Sequence, residues 1–432
     1  MALGGGTFLT QDKIIPGSYI NFVSTSRANA ALSDRGVATM PLELDWGVED
    51  QVFKVNSVDF QKDSLKIFGY EFDHEKMKGL RELFKNIHTL YAYRLNGGGI
   101  KATNTYATAK YAGTRGNDIK IIVKKNVDDE NAFDVITALG SETVDKQTVK
   151  LATELIDNNW VTFKKEASLE ITAGVPLAGG TNKDITGTEH SDYLAKIESY
   201  SFNAIGVVTT EESIKSLYAA FVKRMREEVG AKFQAVIHNM PADYIGVINL
   251  KNKCKELEAG LVYWVTGIVA GCAVNKSNLN KTYDGEFTVD ADYTQTQLER
   301  AIQNGEFVLH YVGSDVRVLE DINSMVTTSD AQGDVFKDNQ TIRVIDQIAN
   351  DIANLFTTKY LGKVPNDSAG RTSLWSDIVK HHEALQNIRA IEGFTDKDVT
   401  IDQGNDKKSV VVNDAITVVN TLAKLYMTVT VA

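Results

Sequence analysis

Cysteine is scarce in this sequence, and long hydrophobic runs are absent. Cys254 and Cys272 are the only cysteines among 432 residues, too few for a disulfide scaffold or a cysteine-based metal site. We expect both to be reduced thiols of a cytosolic protein. The most apolar run, GLVYWVTGIVAGCAV at residues 260–274, is shorter than the roughly 20 residues that a membrane-spanning helix needs. It therefore predicts a buried core helix.

An excess of positive charge is also lacking. The formal net charge is -11 at pH 7, which argues against a nucleic-acid-binding protein because such a protein needs a basic surface. Net charge does not address a local basic patch. The first six residues contain neither the basic nor the apolar region of a secretory signal. From these absences we expect no nucleic-acid partner and no membrane insertion.

What the sequence does contain is apolar material for several cores. Hydrophobic residues make up 43% of the chain and charged residues 24%, as in ordinary globular proteins. A chain of 432 residues exceeds what one hydrophobic core supports, so we expect about two to four domains.

The last eight residues, LYMTVTVA at 425–432, have the pattern of a β-strand. Apolar residues alternate with tyrosine and threonine, which predicts a strand buried on one face. The strand residues are Leu425, Tyr426, Met427, Thr428, Val429, Thr430 and Val431. This strand either closes a sheet of its own subunit or adds to a sheet of a neighbouring subunit.

A short extended segment also opens the sequence. Residues 4–15, GGGTFLTQDKII, begin with three glycines and continue with several apolar residues. Pro16-Gly17 separates this segment from the next strand pattern. This predicts an N-terminal arm over residues 1–18. Its strand-like residues are Thr7, Phe8, Leu9, Ile14 and Ile15. Two strand-like ends favour donation to neighbours, and pairing of both ends within one subunit is the alternative.

Residues 19–96 and 182–330 alternate between strand and helix patterns, which predicts a central α/β domain. The strand patterns lie at 37–44, 89–95, 202–208, 233–238 and 244–250, and the helix patterns at 73–84, 191–198, 211–229, 258–274 and 295–304. Near-continuous apolar strands followed by capped helices indicate a sheet that is covered on both faces.

Residues 97–181 interrupt this rhythm. Short strand patterns lie at 102–110, 118–124, 133–139, 160–164 and 168–172, with one short helix pattern at 149–156. Closely spaced short strands predict a small β-sandwich. Glycines 97–99 and the sequence GGTN at 179–182 bracket it, so we interpret it as an insertion that follows a flexible break.

Residues 331–424 form a separate α+β pattern, with helices at 339–360 and 373–390. Strands at 398–403 and 409–419 are joined by the turn GNDKK. Two strands make a poor sheet by themselves.

No motif predicts catalysis, a cofactor or a metal. The glycine-rich stretches at 97–99 and 113–116 lack the Gly-Lys-Ser/Thr of a phosphate loop. His381-His382-Glu383 approaches a zinc-protease motif, but Gln386 occupies the position of the second histidine ligand. None of the seven histidines accompanies a Gly-x-Ser-x-Gly elbow. Because geometry defines a catalytic triad, a hydrolase stays open as an alternative.

Several segments, taken in their order along the chain, resemble one family. They are GGGTF at 4–8, IPGSYI at 15–20, RGVA at 35–38, YAGTRGNDIKIIV at 111–123, PLAGG at 176–180 with Asn182, and KLYMTVTV at 424–431. Together they resemble the sheath protein of contractile phage tails and of R-type, phage-tail-like bacteriocins of Gram-positive bacteria. The resemblance covers nearly the whole chain and rests on collinearity, since no single segment is diagnostic.

The resemblance implies a fold and an assembly mode. The central α/β domain would be subtilisin-like without a protease site, the insertion an outer β-sandwich, and residues 331–424 an inner domain that faces the tail tube. The hairpin at 398–419 would accept terminal strands from neighbouring subunits. Its acceptor residues would be Val399, Ile401, Val410, Val412, Ile416 and Val418.

The resemblance also implies a function. The chain would be a structural subunit that polymerises as hexameric rings, stacked into a helical sheath, and contracts to drive a tube through the target cell envelope. Its partners would be copies of itself, the tail tube protein, and the baseplate and tail terminator proteins. It would be made in the bacterial host cytoplasm and reside in a virion tail or tail-like particle.

Two finer expectations concern single segments. The helix at 373–390 carries Lys380, His381 and Arg389, which could meet an acidic tube surface. The link at 420–424 would act as a hinge. A non-contractile capsid-like subunit, a type VI secretion sheath component and a cytosolic hydrolase remain the alternatives.

Overall fold

The computed structural model describes residues 32–431. The predicted N-terminal arm residues Thr7, Phe8, Leu9, Ile14 and Ile15 lie outside the described residues. The described chain divides into two compact units: residues 33–349 with 418–431, and residues 350–417.

The chain contains both strands and helices throughout. The strands are β1 Val37–Leu42, β2 Val52–Asn56, β3 Thr89–Arg94, β4 Ala107–Ala109, β5 Ile119–Lys125, β6 Phe133–Leu139, β7 Glu142–Val149, β8 Val161–Phe163, β9 Thr172–Pro176, β10 Ala204–Val207, β11 Gln234–His238, β12 Val247–Leu250, β13 Glu306–Phe307, β14 Leu309–Val312, β15 Asp315–Val318, β16 Ile391–Glu392, β17 Val399–Gln403, β18 Val410–Asp414 and β19 Thr417–Val418. The α-helices are α1 Ser57–Phe68, α2 Lys78–Phe84, α3 Gly187–Ile197, α4 Glu212–Arg224, α5 Val262–Gly271, α6 Gln295–Gln303, α7 Asn339–Leu355 and α8 Ser368–Asn387. Single π-helical turns, Met225–Val229 and Phe356–Tyr360, continue α4 and α7.

A seven-stranded sheet forms the centre of the larger unit. Its strand order is β13-β12-β11-β10-β1-β3-β2; the neighbours pair in parallel except β2, which is antiparallel to β3. One face packs against a core that includes Phe60, Leu83 and Trp264, and the other against a core that includes Tyr193 and Tyr218. The sheet is therefore covered on both faces, as parallel strands require.

Helix α5 lies inside the first of these cores. Eight of its residues are buried, which agrees with the core helix predicted from the apolar run at 260–274. Within residues 32–431, no helix is both long and apolar enough to cross a membrane.

The inserted region is built from β-strands. Strands β7, β6, β5 and β9 form one sheet in that order, and β4 pairs with β8. The side chains of Ile119, Ile121 and Trp160 belong to their shared core. The helix predicted at 149–156 is wrong, because β7 continues to Val149, which pairs with Phe133. Only one 3-10 turn, Ala152–Glu154, follows.

The glycines before the insertion do not form the flexible break that we predicted. A Cβ on Gly99 would lie 2.0 Å from the Thr181 carbonyl oxygen. Next to it, Ile100 and Thr181 exchange backbone hydrogen bonds of 3.1 and 3.0 Å. Glycine is thus needed because two chain segments approach closely here.

The smaller unit packs α8 against the hairpin of β17 and β18. Its buried residues include Leu374, Ile378 and Val399, and Asp367 caps α8 by accepting a 2.8 Å hydrogen bond from the Gly370 N–H. The strand predicted at 409–419 is interrupted, since β18 ends at Asp414 and β19 covers only Thr417–Val418.

Candidate assembly interface

The C-terminal strand sequence is exposed. Leu425, Tyr426, Met427, Val429 and Val431 are between 69% and 89% exposed. Residues 419–431 contain no strand in the described chain. Contiguous exposed apolar side chains are typical of interaction surfaces.

The hairpin of β17 and β18 has two outer edges. Gly404 N–H donates to Ser409 O at its turn, and Ala415 N–H donates to Asp398 O at its other end. Because antiparallel pairs alternate between bonded and non-bonded positions, residues 398, 400, 402 and 404 bond inward. The backbone groups of Val399 and Ile401 on one strand, and of Val410 and Val412 on the other, therefore face outward.

These two edges differ. On the β17 edge, the indole Nε1 of Trp375 donates a 3.0 Å hydrogen bond to the Val399 carbonyl oxygen, so one of the outward acceptors is already occupied. Near the β18 edge, a groove lined by Phe356, Tyr360 and Leu374, among others, reaches the strand at its first residue, Val410. An added strand thus meets less obstruction and more apolar surface at β18.

The six predicted acceptor residues do not all belong to this hairpin. Val399 is buried at 2% exposure, Val412 is 39% exposed, and Ile401 and Val410 are half-buried. The remaining two, Ile416 and Val418, are half-buried and lie beyond the last pair of β18. Val411, 49% exposed, is not among the six, and its backbone pairs inward with Asp402.

The predicted tube contacts separate into two groups. Lys380 and Arg389 are exposed. His381 is not available as a surface contact: it is 1% exposed, and its Nε2 lies 3.0 Å from Asp351 Oδ2. The prediction for His381 is therefore wrong, because a buried polar ring is used to pair with a buried carboxylate.

The other residues of the zinc-protease-like motif, His382 and Gln386, also contact backbone groups within the fold. His382 Nδ1 faces the Ile378 carbonyl oxygen at 2.9 Å. Gln386 bonds both backbone groups of Phe394, at 2.7 and 3.2 Å. No cluster of three or more histidine, cysteine, aspartate or glutamate residues that could hold a metal occurs within residues 32–431.

A multidomain α/β fold with a separate β-stranded insertion and an exposed apolar end defines a structural subunit class, and within residues 32–431 no third strand pairs with the hairpin of β17 and β18. The comparisons identify the family. Four family descriptions match the chain in order: "Tail sheath protein Gp18 domain III N-terminal region" at residues 35–95, "Phage tail sheath protein beta-sandwich domain" at 97–182, "Phage tail sheath protein central domain" at 183–324, and "Phage tail sheath C-terminal domain" at 331–432.

Individual relatives agree over the full length. The Phage-like element PBSX protein XkdK of Bacillus subtilis is 33% identical over 99% of this chain and 100% of its own. The crystal structure of a sheath tail protein of Desulfitobacterium hafniense is 35% identical, covers 94% of this chain and 97% of that chain, and has a TM-score of 0.83. The chain therefore belongs to the phage tail sheath family and is a structural subunit of a tail sheath.

A more distant structure shares only the fold. The helical sheath of the anti-feeding prophage in its contracted state is 11% identical, with a TM-score of 0.58, and covers 97% of this chain and 99% of that chain. The resemblance stated from the sequence is confirmed by these matches, as is a mixed α/β multidomain fold with a β-sandwich.

Proposed function

We propose that this chain polymerises around a tail tube as the subunit of a contractile sheath and contracts to drive the tube through the target cell envelope. Membership of the tail sheath family supports this function, as does the shared fold of a sheath solved in its contracted state. The single observation that carries the assembly mode is the exposed apolar face of residues 425–431. A subunit that left this face uncovered in its working state would expose a surface prone to aggregation.

The strand 425–432 of one subunit adds to the β18 edge of another in this proposal. Outward backbone groups at Val410 and Val412 supply the hydrogen bonds, and one apolar side chain of the alternating series Leu425, Met427 and Val429 enters the groove at Val410. Each added strand is a weak tie because ordering a free segment costs about 1–2 kcal/mol per residue for the backbone. Many such strand additions in one helical sheath together make a stable assembly.

The domains have separate roles in this proposal. Residues 19–96 with 182–330 form the central domain, with a subtilisin-like topology and no catalytic function, and residues 97–181 form an outer β-sandwich. Residues 331–424 form the inner domain that meets the tube, and residues 1–18 and 425–432 are the exchanged arms. The parallel main sheet and the separate β-sheets of the insertion are consistent with this division.

The partners follow from the assembly. The subunit associates with itself as hexameric rings stacked into a helix, with the tail tube, and with baseplate and tail terminator proteins at the two ends. It is a component of a virion tail or tail-like particle, made in the host cytoplasm. Two structures that share the fold, one of an anti-feeding prophage baseplate and one of a contracted helical sheath, support association with a baseplate and self-association.

Electron microscopy of the purified chain mixed with tail tubes tests the proposal. We expect sheath-like cylinders from the parent chain and none from a Met427→Asp/Val429→Asp variant, because two charges would replace apolar side chains that the added strand buries. Thr428→Asp/Thr430→Asp is the matched control on the opposite face of the strand, and it should assemble. Closed shells from the parent chain would favour a capsid-like subunit, and normal cylinders from the Met427 and Val429 variant would contradict strand addition.

A further inference from the structure

A buried glutamine holds the chain just before the exposed C-terminal segment. Gln340 lies in the first turn of α7 and is 1% exposed. Its Nε2 donates a 2.9 Å hydrogen bond to the Val419 carbonyl oxygen, and its Oε1 accepts a 3.1 Å bond from the Thr421 N–H. One side-chain amide thus satisfies both backbone groups that flank Asn420.

This contact imitates a strand pair. In a parallel sheet, a residue bonds the carbonyl of the residue before its partner and the N–H of the residue after it. The amide of Gln340 does the same to Val419 and Thr421. It therefore keeps the backbone extended at Asn420 without needing a strand beside it.

The helix that carries Gln340 is itself well fixed. Asn339 Nδ2 donates a 3.0 Å hydrogen bond to Asp321 Oδ1, and Arg343 lies 3.2 Å from Asp321 Oδ2. The side chains of Arg343 and Asp321 are both 1% exposed. Breaking such a buried pair is costly, so the first turn of α7 is a rigid support.

After Thr421, the chain is no longer held by hydrogen bonds to α7. Leu422 is 98% exposed, and residues 422–431 make no hydrogen bond or ion pair in the described chain. Ten extended residues span at most about 33 Å. The receiving hairpin of another copy therefore has to lie within about that distance of Thr421.

We propose that Gln340 is a positioning residue that sets where the C-terminal segment leaves its subunit, and hence how far away a second copy of this chain can be when it receives the strand. This inference rests on the proposed function and adds a residue-level determinant of subunit spacing to it. It also moves the start of the hinge predicted at 420–424 to Leu422, because Asn420 and Thr421 are held by the subunit.

Hydrogen exchange on the full-length chain at low concentration tests the contact itself. The Thr421 amide should exchange slowly in the parent chain and quickly in Gln340→Ala. Gln340→Glu keeps the acceptor for Thr421 but places a carboxylate against the Val419 carbonyl, so it should give intermediate protection. Gln295→Ala, on the surface helix α6, is the matched control and should leave Thr421 unchanged. Rapid exchange of Thr421 in the parent chain would overturn the proposal.

Polymerisation on tail tubes tests whether Gln340 positions the C-terminal segment. Release of residues 419–421 lengthens the free link before the strand 425–432 from three residues to six, which lowers the effective concentration of the strand roughly threefold by length alone. We therefore expect Gln340→Ala to raise the critical concentration for sheath formation roughly threefold and to make the axial repeat less uniform, in a variant that still unfolds in one cooperative thermal transition. Faster exchange with unaltered assembly would refute the positioning role. Failure of the parent chain to polymerise would instead overturn the proposed function, and the role of Gln340 with it, while the exchange result still reports on the contact.

Discussion

His382 and Asp414 join the buried face of α8 to the end of β18, with His382 Nε2 lying 2.9 Å from Asp414 Oδ2. The imidazole is fully buried, whereas the Asp414 side chain is 26% exposed. The other ring nitrogen lies 2.9 Å from the Ile378 carbonyl oxygen. One end of the strand that we propose as an acceptor is therefore in side-chain contact with α8.

Replacing Asp414 by asparagine should loosen this contact. Because a buried ring nitrogen would lose a charged partner, we expect the free energy of opening β18 to fall by about 1–3 kcal/mol. Hydrogen exchange of the β18 amides measures this change locally. Asp402→Asn, an exposed position on β17, is the control that should leave exchange unaltered. Equal exchange in both variants would show that the contact between His382 and Asp414 does not hold the strand.

A charged contact ties the inserted domain to the α/β sheet. The Asp45 carboxylate accepts hydrogen bonds from Tyr70 Oη at 2.8 Å and Asn182 Nδ2 at 2.9 Å. Thr114 Oγ1 donates a third bond at 3.1 Å, and Lys76 adds an ion pair. Burial alone would raise the pKa of Asp45, but the hydrogen bonds from Lys76, Asn182 and Tyr70 outweigh it and hold this pKa well below its usual range.

The lowered pKa of Asp45 determines the sign of its pH effect. A carboxylate that is more acidic in the folded state stabilises the fold above the unfolded pKa of about 3.9, and the contribution is lost as pH falls toward the folded value. Asp45→Asn should therefore lower stability at neutral pH by about 2–4 kcal/mol and flatten the loss of stability below about pH 4. Thermal unfolding from pH 2 to 7 measures both, with the exposed Asp50→Asn as control. A parallel decline in parent and variant below pH 4 would contradict this assignment.

The sequence predicted the centre of the fold better than its edges. Strand β10 is continuously apolar and β11 is apolar in its three central residues, because both strands are buried on both faces. Helix α1 was missed, although its buried residues Phe60, Ser64 and Phe68 recur at every fourth position. A serine in this series and the charged residues between its members hid the periodicity.

The candidate interface was predictable only in part. The alternation in residues 425–431 is a local pattern, so the sequence revealed it. The roles of His381 and Gln340 depend on Asp351, 30 residues away, and on Thr421, 81 residues away. Contacts at such separations leave no local signal in the sequence. His381 therefore resembled a solvated helix residue, and no role was predicted for Gln340.

His238, at the end of β11, predicts an acid-sensitive core. It is 1% exposed, and neither ring nitrogen has a hydrogen-bond partner of good geometry in the described chain. Burial, and secondarily the positive charge of Lys215, lower the pKa of His238. Since the folded state disfavours the charged ring, stability should fall as pH drops below the unfolded value of about 6.5.

Replacing His238 by leucine should remove that fall. We expect stability at pH 8 to be kept or raised, because unpaired polar atoms leave the core, and the decline between about pH 6.5 and 5 to be smaller than in the parent chain. Denaturant midpoints at several pH values provide the measurement. His74→Asn, on the exposed surface, retains a capping acceptor and should follow the parent. An unaltered decline in His238→Leu would assign the acid sensitivity to other groups.

Charge reversal at Lys380 and Arg389 tests where the tube binds. Both residues are exposed on or just after α8, and Arg389 already has a left-handed backbone with φ of 62°, so glutamate adds no new strain relative to arginine. If these cations meet an acidic tube surface, Lys380→Glu/Arg389→Glu should reduce sheath assembly on tubes, and the loss should be greatest at low salt because screening weakens surface charge interactions. Lys363→Glu/Lys397→Glu makes the same change in net charge at two other exposed positions of the same unit. Co-sedimentation with purified tubes compares the two variants, and an equal loss in both would mean that net charge, and not this end of α8, governs binding to the tube.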